Sequence, residues 1–184
     1  MINYLEHHIV DHCNLNCAGC SHFSPLVPKP YWYEELDSFK YDFSALAEKT
    51  NHYINTIRLM GGEPLLHPQA TEFFPIVREL FPNSEIQIVT NGILLNSEIK
   101  AACNEYLIKV CVSNYGLNFD LNERLSGLNF TRVDGKANLY NIALDLTGSQ
   151  DTNTAFNNCD LHMYKWYYFN FGRFYPCCIG ANIH

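Results

Sequence analysis

The sequence lacks the features that would assign it to several common classes of protein. It has no hydrophobic run long enough to span a bilayer, and residues 1–6 contain neither the basic nor the apolar segment of a secretory signal. Basic residues are few, with 12 Lys and Arg against 19 Asp and Glu, so the net charge is -7. This balance is unfavourable for a general nucleic-acid or anionic-membrane surface. We expect a cytoplasmic protein that binds neither nucleic acid nor membrane.

Cysteine, by contrast, is plentiful, with eight among 184 residues. Without an export signal these side chains are expected in a reducing compartment, where clustered cysteines bind metal more often than they form disulfides. Hydrophobic residues make up 47% of the chain and charged residues 17%, which provides a sizeable core and argues against disorder. The length predicts one domain with a small appendage.

Three of the cysteines, Cys13, Cys17 and Cys20, follow one another with C-x3-C-x2-C spacing. Neither a helix nor a strand packs side chains with this rhythm, so we predict a loop in which three thiolates converge. Such a set holds a metal centre on one side and leaves the other side open. A zinc knuckle completed by His12 or His22 is the alternative, and three unrelated buried thiols are a second. Sulfur-rich ligation suits zinc or iron–sulfur, and the rest of the chain favours iron–sulfur.

Hydrophobic periodicity predicts strands at residues 4–10, 55–60, 85–89 and 107–112, separated by helices at residues 38–50, 68–81 and 97–106. Ser38 and Ser97 are the expected helix caps, and Pro75 is expected to kink its helix or to mark its first turn. Alternating strands and helices imply parallel pairing with crossover helices. The predicted fold is therefore α/β, a partial (β/α) barrel in which polar motifs at the carboxyl ends of the strands form the active site.

The pattern weakens after residue 117. We predict a short helix at residues 119–126, strands at 130–133 and 140–146, a polar linker at 147–158, and an aromatic hairpin between residues 164 and 175. The predicted division is a core of residues 1–146, followed by residues 147–184 as a linker and a cysteine-containing hairpin.

The cysteine spacing, together with Gly-Gly-Glu-Pro at residues 61–64, resembles the signature of the radical S-adenosylmethionine (radical SAM) enzymes, and the similarity covers residues 4 to about 116. The resemblance implies that Cys13, Cys17 and Cys20 ligate a [4Fe-4S] cluster whose fourth iron is chelated by S-adenosylmethionine. It further implies reductive cleavage of S-adenosylmethionine to a 5′-deoxyadenosyl radical, which abstracts hydrogen from a peptide, protein or small-molecule substrate. An electron donor such as flavodoxin or ferredoxin is the implied partner.

The same resemblance assigns cofactor contacts to the ends of the strands. Glu63 is expected to face the ammonium group of S-adenosylmethionine, and the paired glycines before it allow close backbone approach to a ligand; a plain strand-to-helix turn is the alternative. Polar residues after the third and fourth strands match positions that bind the ribose or carboxylate, although such residues are also common caps and turn formers. Gly19 stands where an aromatic residue near the adenine is frequent, and Phe23 is the proposed substitute. The predicted cofactor contacts are Gly61, Gly62, Glu63, Pro64, Thr90, Asn91, Ser113, Asn114 and Phe23.

A second cysteine pattern, C-x12-G-x4-C, is formed by Cys159, Gly172 and Cys177. It is similar to the opening of the SPASM and Twitch extensions, which implies an auxiliary [4Fe-4S] cluster with Cys178 as an additional ligand. A disulfide or free thiols are the alternative. For the whole chain, the competing hypotheses are a non-catalytic iron–sulfur or zinc module for electron transfer or protein interaction, and a degenerate member without turnover. The Gly-Gly-Glu-Pro motif around Glu63 favours the enzyme, because a module that only binds metal through its cysteines does not require this motif.

Overall fold

The protein, in a computed structural model, is described for residues 2–17, 19–117, 119–134 and 147–182. The described strands are β1 (Tyr4–Val10), β2 (Thr56–Gly61), β3 (Glu85–Thr90), β4 (Ile108–Ser113), β5 (Phe130–Val133), β6 (Trp166–Asn170) and β7 (Arg173–Tyr175). The described helices are α1 (Leu36–Lys49), α2 (Phe73–Leu80), α3 (Ser97–Glu105), α4 (Leu121–Leu125), α5 (Thr152–Asn157), α6 (Asp160–Met163) and α7 (Cys178–Asn182). Within these residues no helix is long and apolar enough to cross a bilayer.

The strands form one sheet in the order β5-β4-β3-β2-β1-β6-β7. Neighbouring strands from β5 through β6 are parallel, and β7 runs antiparallel to its neighbour. In-register pairs such as Leu5 with Ile57, and Ile57 with Ile86, place apolar side chains on one face. Among the described strands the sheet ends in β5 and β7 and does not close. These features confirm the predicted α/β class and a partial barrel.

One face of the sheet packs against helices through an aromatic core. Phe39 and Phe43 of α1 stack with ring centroids 4.0 Å apart, and Phe73 of α2 meets Phe39 edge-on at 5.0 Å. All three side chains are fully buried. Burial of each phenylalanine contributes about 1.5–3 kcal/mol, so this cluster is a principal source of stability for the sheet and its helices.

Two predicted helix caps are wrong by a few residues. Ser38 lies inside α1, which begins at Leu36 after Glu35. Asn96, not Ser97, caps α3, because its side chain accepts a hydrogen bond from the backbone N–H of Ile99 at 2.9 Å. The prediction that Pro75 marks a first turn is confirmed, since α2 begins two residues earlier, at Phe73. Proline has no backbone N–H, and the N–H groups of the first turn make no intrahelical hydrogen bond, so none is lost at this position.

The C-terminal part is more ordered than the sequence suggested. The strand at residues 130–133 is confirmed, and the predicted strand at 140–146 lies outside the described residues. The linker prediction is wrong for part of its length, because Asp151 caps the helix Thr152–Asn157 by accepting from the Thr154 N–H at 2.8 Å. A short polar helix of this kind has no hydrophobic period to reveal it.

The predicted aromatic hairpin is present as β6 and β7. Its turn consists of Phe171 and Gly172, both with positive φ (50° and 65°), a combination found in tight hairpin turns. The hairpin continues the core sheet, because β6 pairs with β1 in the register Tyr4 to Trp166. The Phe169 side chain belongs to the same hydrophobic core as the helices. The division of the chain at residue 146 stays a prediction.

Candidate metal centre

The loop after β1 brings together the three cysteines that the spacing singled out. Cys13, Cys17 and Cys20 are half-buried free thiols, close enough for their charges to interact. Burial, with added repulsion from Glu63 and the other two thiolates, raises the pKa of Cys13 to about 11. The N–H of Leu15 donates to Cys13 Sγ at 3.4 Å, which favours the thiolate at that position. The three thiols therefore lie near one another, and their convergence on one metal centre stays a prediction.

The donor set suits an iron–sulfur cluster. The three candidate ligands are all thiols, and cysteine thiolates are the ligands that such clusters use. Among the described residues, no three His, Cys, Asp or Glu side chains are grouped so as to hold a single metal ion. An iron–sulfur cluster does not require the three sulfur atoms to surround a single ion, because each thiolate binds a different iron atom.

The paired glycines at the end of β2 pack against this chain's own cysteine loop. A Cβ atom on Gly62 would lie 2.0 Å from the carbonyl oxygen of His12, and one on Gly61 (φ +150°) would lie 2.2 Å from that of Val10. The N–H of Glu63 then donates to the same His12 carbonyl at 2.9 Å. Close backbone approach was expected here, and the structure shows that at least one partner is the loop that carries Cys13.

Glu63 links the ends of β2 and β3. Its side chain is 1% exposed, and its carboxylate accepts from Thr90 Oγ at 2.7 Å, the Asn91 N–H at 2.8 Å and the Leu65 N–H at 3.1 Å. Burial raises the pKa of Glu63 to about 7, and these hydrogen bonds oppose the rise. A carboxyl group poised in this way gains charge when a cation approaches. The predicted contact with an ammonium group remains a prediction.

Asn91, a predicted cofactor residue directly after β3, also fixes the cysteine loop. Asn91 Nδ2 donates to Asn14 Oδ1 at 2.7 Å, and Asn91 Oδ1 accepts from the N–H of Ile93 at 3.0 Å. Thr90 Oγ accepts from the Gly92 N–H at 3.1 Å. Both residues thus act as turn formers, the alternative that the sequence left open. Their predicted contacts with S-adenosylmethionine stay predictions.

At the end of β4, Tyr115 is the residue that sequence reasoning did not place among the cofactor contacts. Its side chain lies near the thiols of the cysteine loop and near Ser113. Burial first, and then the three neighbouring thiols, raise the pKa of Tyr115. Its place directly after the fourth strand end was the only signal in the sequence. Asn114 next to it donates to Asp134 Oδ1 at 2.6 Å and accepts from the Gly116 N–H.

Phe23 closes the cysteine loop. Its N–H donates to the carbonyl of Cys20 at 3.2 Å, and its left-handed backbone (φ 55°) precedes a short 3-10 helix at Ser24–Leu26. The ring is half-buried. The expected adenine contact of Phe23 stays a prediction, and so does the place of Pro64, which begins the 3-10 helix after Glu63.

The structure places the C-terminal cysteines in two locations along the chain. Cys159 precedes α6, and its N–H donates to the Phe156 carbonyl. Cys178 begins α7, and burial raises its pKa to about 12, with further contributions from Glu6 and Cys177. Cys177 Sγ accepts from the Gly180 N–H at 3.4 Å. None of the three forms a disulfide, and their role as ligands of a second cluster stays a prediction.

Curated relatives are similar to this chain over somewhat less than two-thirds of its length. A relative called GTP 3',8-cyclase, from Campylobacter jejuni subsp. doylei, is 32% identical over 113 residues, which are 61% of this chain and 34% of the relative. The protein of the same name from Aquifex aeolicus is 29% identical over 127 residues, 64% of this chain and 36% of the relative. The chain thus spans about a third of the length of these curated relatives.

Solved structures share the fold. BtrN in complex with AdoMet and 2-DOIA superposes with a TM-score of 0.67 at 18% identity, over 99% of this chain and 75% of that one. A histidine-tagged form of anSMEcpe with bound AdoMet gives a TM-score of 0.55 at 20% identity, over 72% and 42% of the two chains. Streptococcus suis SuiB bound to the precursor peptide SuiA gives 0.51 at 18% identity, over 71% and 32%.

The model of the radical SAM superfamily matches residues 8–125, more than half of the chain, and this segment runs from the end of β1 to the end of α4 and includes the cysteine loop. Membership in this superfamily of enzymes implies a [4Fe-4S] cluster and S-adenosylmethionine as cofactors, as the resemblance in the sequence had indicated. The match and the geometry at the strand ends agree: the chain belongs to the radical SAM superfamily.

Proposed function

We propose that this chain is the cofactor-binding part of a radical SAM enzyme, in which Cys13, Cys17 and Cys20 ligate a [4Fe-4S] cluster. The observation that carries the proposal is the packing of the Gly62 and Glu63 backbone against the cysteine loop at His12. It joins the two parts of the family signature into one site at the carboxyl ends of neighbouring parallel strands. When bound, the cluster and S-adenosylmethionine supply a 5′-deoxyadenosyl radical for hydrogen abstraction.

The protein contributes orientation and a defined polar environment to this chemistry. Glu63, buried and held by three hydrogen-bond donors, is placed to balance the charge of an ammonium group close to Cys13. Thr90 and Asn91 fix that carboxylate, and Asn91 also holds Asn14 of the loop. Gly61, Pro64, Ser113, Asn114 and Phe23 complete the proposed S-adenosylmethionine site.

The proposed substrate is a peptide, a protein side chain or a small molecule. Support comes from similar proteins only: SuiB was solved with a precursor peptide and BtrN with the small molecule 2-DOIA, and relatives over the matched region are called GTP 3',8-cyclase. The proposed electron donor is a flavodoxin or a ferredoxin. We also propose that Cys159, Cys177 and Cys178 hold an auxiliary cluster, which their spacing around the β6–β7 hairpin supports.

The decisive experiment is anaerobic reconstitution with iron and sulfide, followed by reduction and measurement of 5′-deoxyadenosine formed from S-adenosylmethionine. The wild-type chain is expected to form this product, and Cys13→Ala is expected to form none. Cys103→Ala is the matched control, because Cys103 is a buried thiol of α3 and does not belong to the cysteine loop. A correctly loaded cluster without any product contradicts the enzyme function and leaves the non-catalytic iron–sulfur module, while tight binding of zinc alone would favour a zinc module.

The iron content tests the auxiliary cluster separately. About eight irons per chain are expected if both sites are filled, and about four if only the cysteine loop binds a cluster. Cys159→Ser and Cys177→Ser should each reduce the content to about four. An unchanged iron content in both variants contradicts the auxiliary cluster and leaves the first site unaffected.

A further inference from the structure

An aromatic strap lies against the first residues of the cysteine loop. We use this name for Tyr31, Trp32 and Tyr33, in the connection between β1 and α1. The Tyr31 ring stacks on the His12 imidazole at a centroid distance of 4.1 Å and an angle of 5°, and Tyr33 meets the same imidazole edge-on at 5.1 Å. His12, only 7% exposed, is thus enclosed on two sides by rings from the strap.

Polar contacts fix the orientation of this imidazole. Asp11 Oδ1 lies 3.2 Å from His12 Nδ1, and the Tyr33 hydroxyl lies 3.3 Å from His12 Nε2. The other carboxylate oxygen of Asp11 accepts from the Trp32 N–H at 3.0 Å. Both ring nitrogens of His12 therefore have a partner, and the strap backbone is tied to the residue before His12.

The strap is itself held by the core of the fold. Tyr33 forms an antiparallel bridge with Val10 at the end of β1, and its ring meets His67 at 5.5 Å. The Trp32 ring packs edge-on against Phe171, in the turn of the β6–β7 hairpin, at 5.1 Å. The strap therefore provides a fixed surface to the cysteine loop, supported from the end of β1 and from the hairpin.

Because His12 is held in place, the backbone position of the adjacent Cys13 is restricted as well. His12 directly precedes Cys13, and its carbonyl accepts the Glu63 N–H at 2.9 Å. With the side chain held by the strap and the carbonyl held by the residues after β2, the direction in which the chain enters Cys13 is set. A loop that is already ordered loses less conformational entropy when it binds its ligand.

We propose that Asp11, His12 and the aromatic strap hold the cysteine loop in its cluster-binding shape before any cluster is present. These are positioning residues, since they act on the cluster through Cys13. The proposal rests on the proposed function for the identity of the cluster, whereas the order of the loop without a cluster is independent of it. Residues that orient metal ligands from outside the ligand set commonly change metal affinity 10–100-fold when replaced.

The experiment compares Tyr31→Ala, which removes the ring on His12, with Tyr31→Phe, which keeps it. Tyr41→Ala is the matched control, because Tyr41 is a 78% exposed tyrosine on α1. The first readout is hydrogen exchange of residues 11–23 in the cluster-free chain. We expect Tyr31→Ala to exchange faster in this segment, with Tyr31→Phe and Tyr41→Ala like the wild type.

The second readout is the rate at which a chelator removes iron from the reconstituted chain. We expect release about 10–100-fold faster from Tyr31→Ala and nearly wild-type release from Tyr31→Phe. Equal exchange in Tyr31→Ala and Tyr41→Ala overturns the proposal, as does equal iron release. Should the wild type bind no cluster, the proposed function fails, and the hydrogen exchange alone then decides whether the strap orders the loop.

Discussion

A methyl group added at Gly62 is the most direct test of how the cofactor site is built. The Cβ atom of Gly62→Ala would stand 2.0 Å from the His12 carbonyl oxygen and 2.8 Å from the backbone nitrogen of Cys13. Both neighbours are backbone atoms, so β2 and the cysteine loop must separate by more than 1 Å to reach ordinary contact distances, which lie near 3.4 Å or more for Cβ atoms. We therefore expect the substitution to lower the free energy of unfolding of the cluster-free protein.

The magnitude follows from the hydrogen bonds that span this contact. The Glu63 N–H donates to the His12 carbonyl at 2.9 Å, and the Gly62 N–H donates to the Val10 carbonyl at 3.3 Å. Separation breaks the first and strains the second. Each such bond contributes about 1 kcal/mol, and a buried donor left without a partner costs about 1–3 kcal/mol, so a loss of about 3 kcal/mol in the free energy of unfolding is expected.

The assay is urea unfolding of the cluster-free chain, with Gly116→Ala as the matched control. Gly116 has positive φ (+67°), and a Cβ atom there meets nothing within 4 Å. That variant therefore loses only about 1–2 kcal/mol for the left-handed backbone. If the glycines instead served only the approach of S-adenosylmethionine, Gly62→Ala would weaken binding of that molecule and leave the apo-protein as stable as the wild type. A Gly62→Ala chain no less stable than Gly116→Ala would refute the reasoning.

Three further predictions concern the same region and its support. Burial raises the pKa of Glu63 from 4.5 to about 7, so the folded chain binds the carboxyl proton more tightly than the unfolded chain does. The protonated carboxyl therefore stabilises the fold fully below pH 4.5, and this contribution is lost as the pH rises to about 7. The free energy of unfolding should fall by about 3 kcal/mol over this window because of Glu63, and Glu63→Gln should show a shallower pH dependence in urea unfolding; an unchanged slope contradicts the assignment. Tyr115→Phe removes a hydroxyl near the thiols of the cysteine loop, and it should lower the reduction potential of the reconstituted cluster in an EPR-monitored titration, because polar groups near the sulfurs stabilise the reduced form. Tyr33→Phe removes a hydroxyl that contacts His12 instead, and it should change the potential less. Phe169→Ala should reduce the free energy of unfolding by about 3–5 kcal/mol, because its side chain is 4% exposed in the core, while Phe174→Ala, 48% exposed, should cost clearly less; equal losses would contradict the place of β6 in the core.

The sequence was informative where local chemistry decides the structure. Alternating apolar residues predicted four parallel strands, and the spacing of Cys13, Cys17 and Cys20 predicted a loop rather than a helix or a strand. The resemblance carried by these cysteines and by Glu63 led to the correct superfamily. Each of these signals lies within one short segment of the chain.

What the sequence could not predict depends on segments that meet only after folding. The hydrogen bonds from Thr90 and Asn91 to Glu63 require β2 and β3 to be neighbours with a fixed register. The contact of Tyr31 with His12 arises from a connection rich in proline and aromatic residues, which has no periodicity to analyse. The glycine before Glu63 was expected to make room for a ligand, and its neighbour in the structure is the carbonyl of His12.

The position of β1 has a consequence for how the chain folds during synthesis. This strand is synthesised before the other described strands, yet one of its two neighbours, β6, is among the last of them to be made. The bond between His7 Nδ1 and the Phe169 carbonyl, at 2.8 Å, spans 162 positions. Until β6 has been made, β1 presents an unpaired edge, which is a site for unwanted strand pairing. A chain cut before Trp166 would keep every residue of the cysteine loop. It would nevertheless lack β6, one of the two strands that flank β1, from which the loop begins.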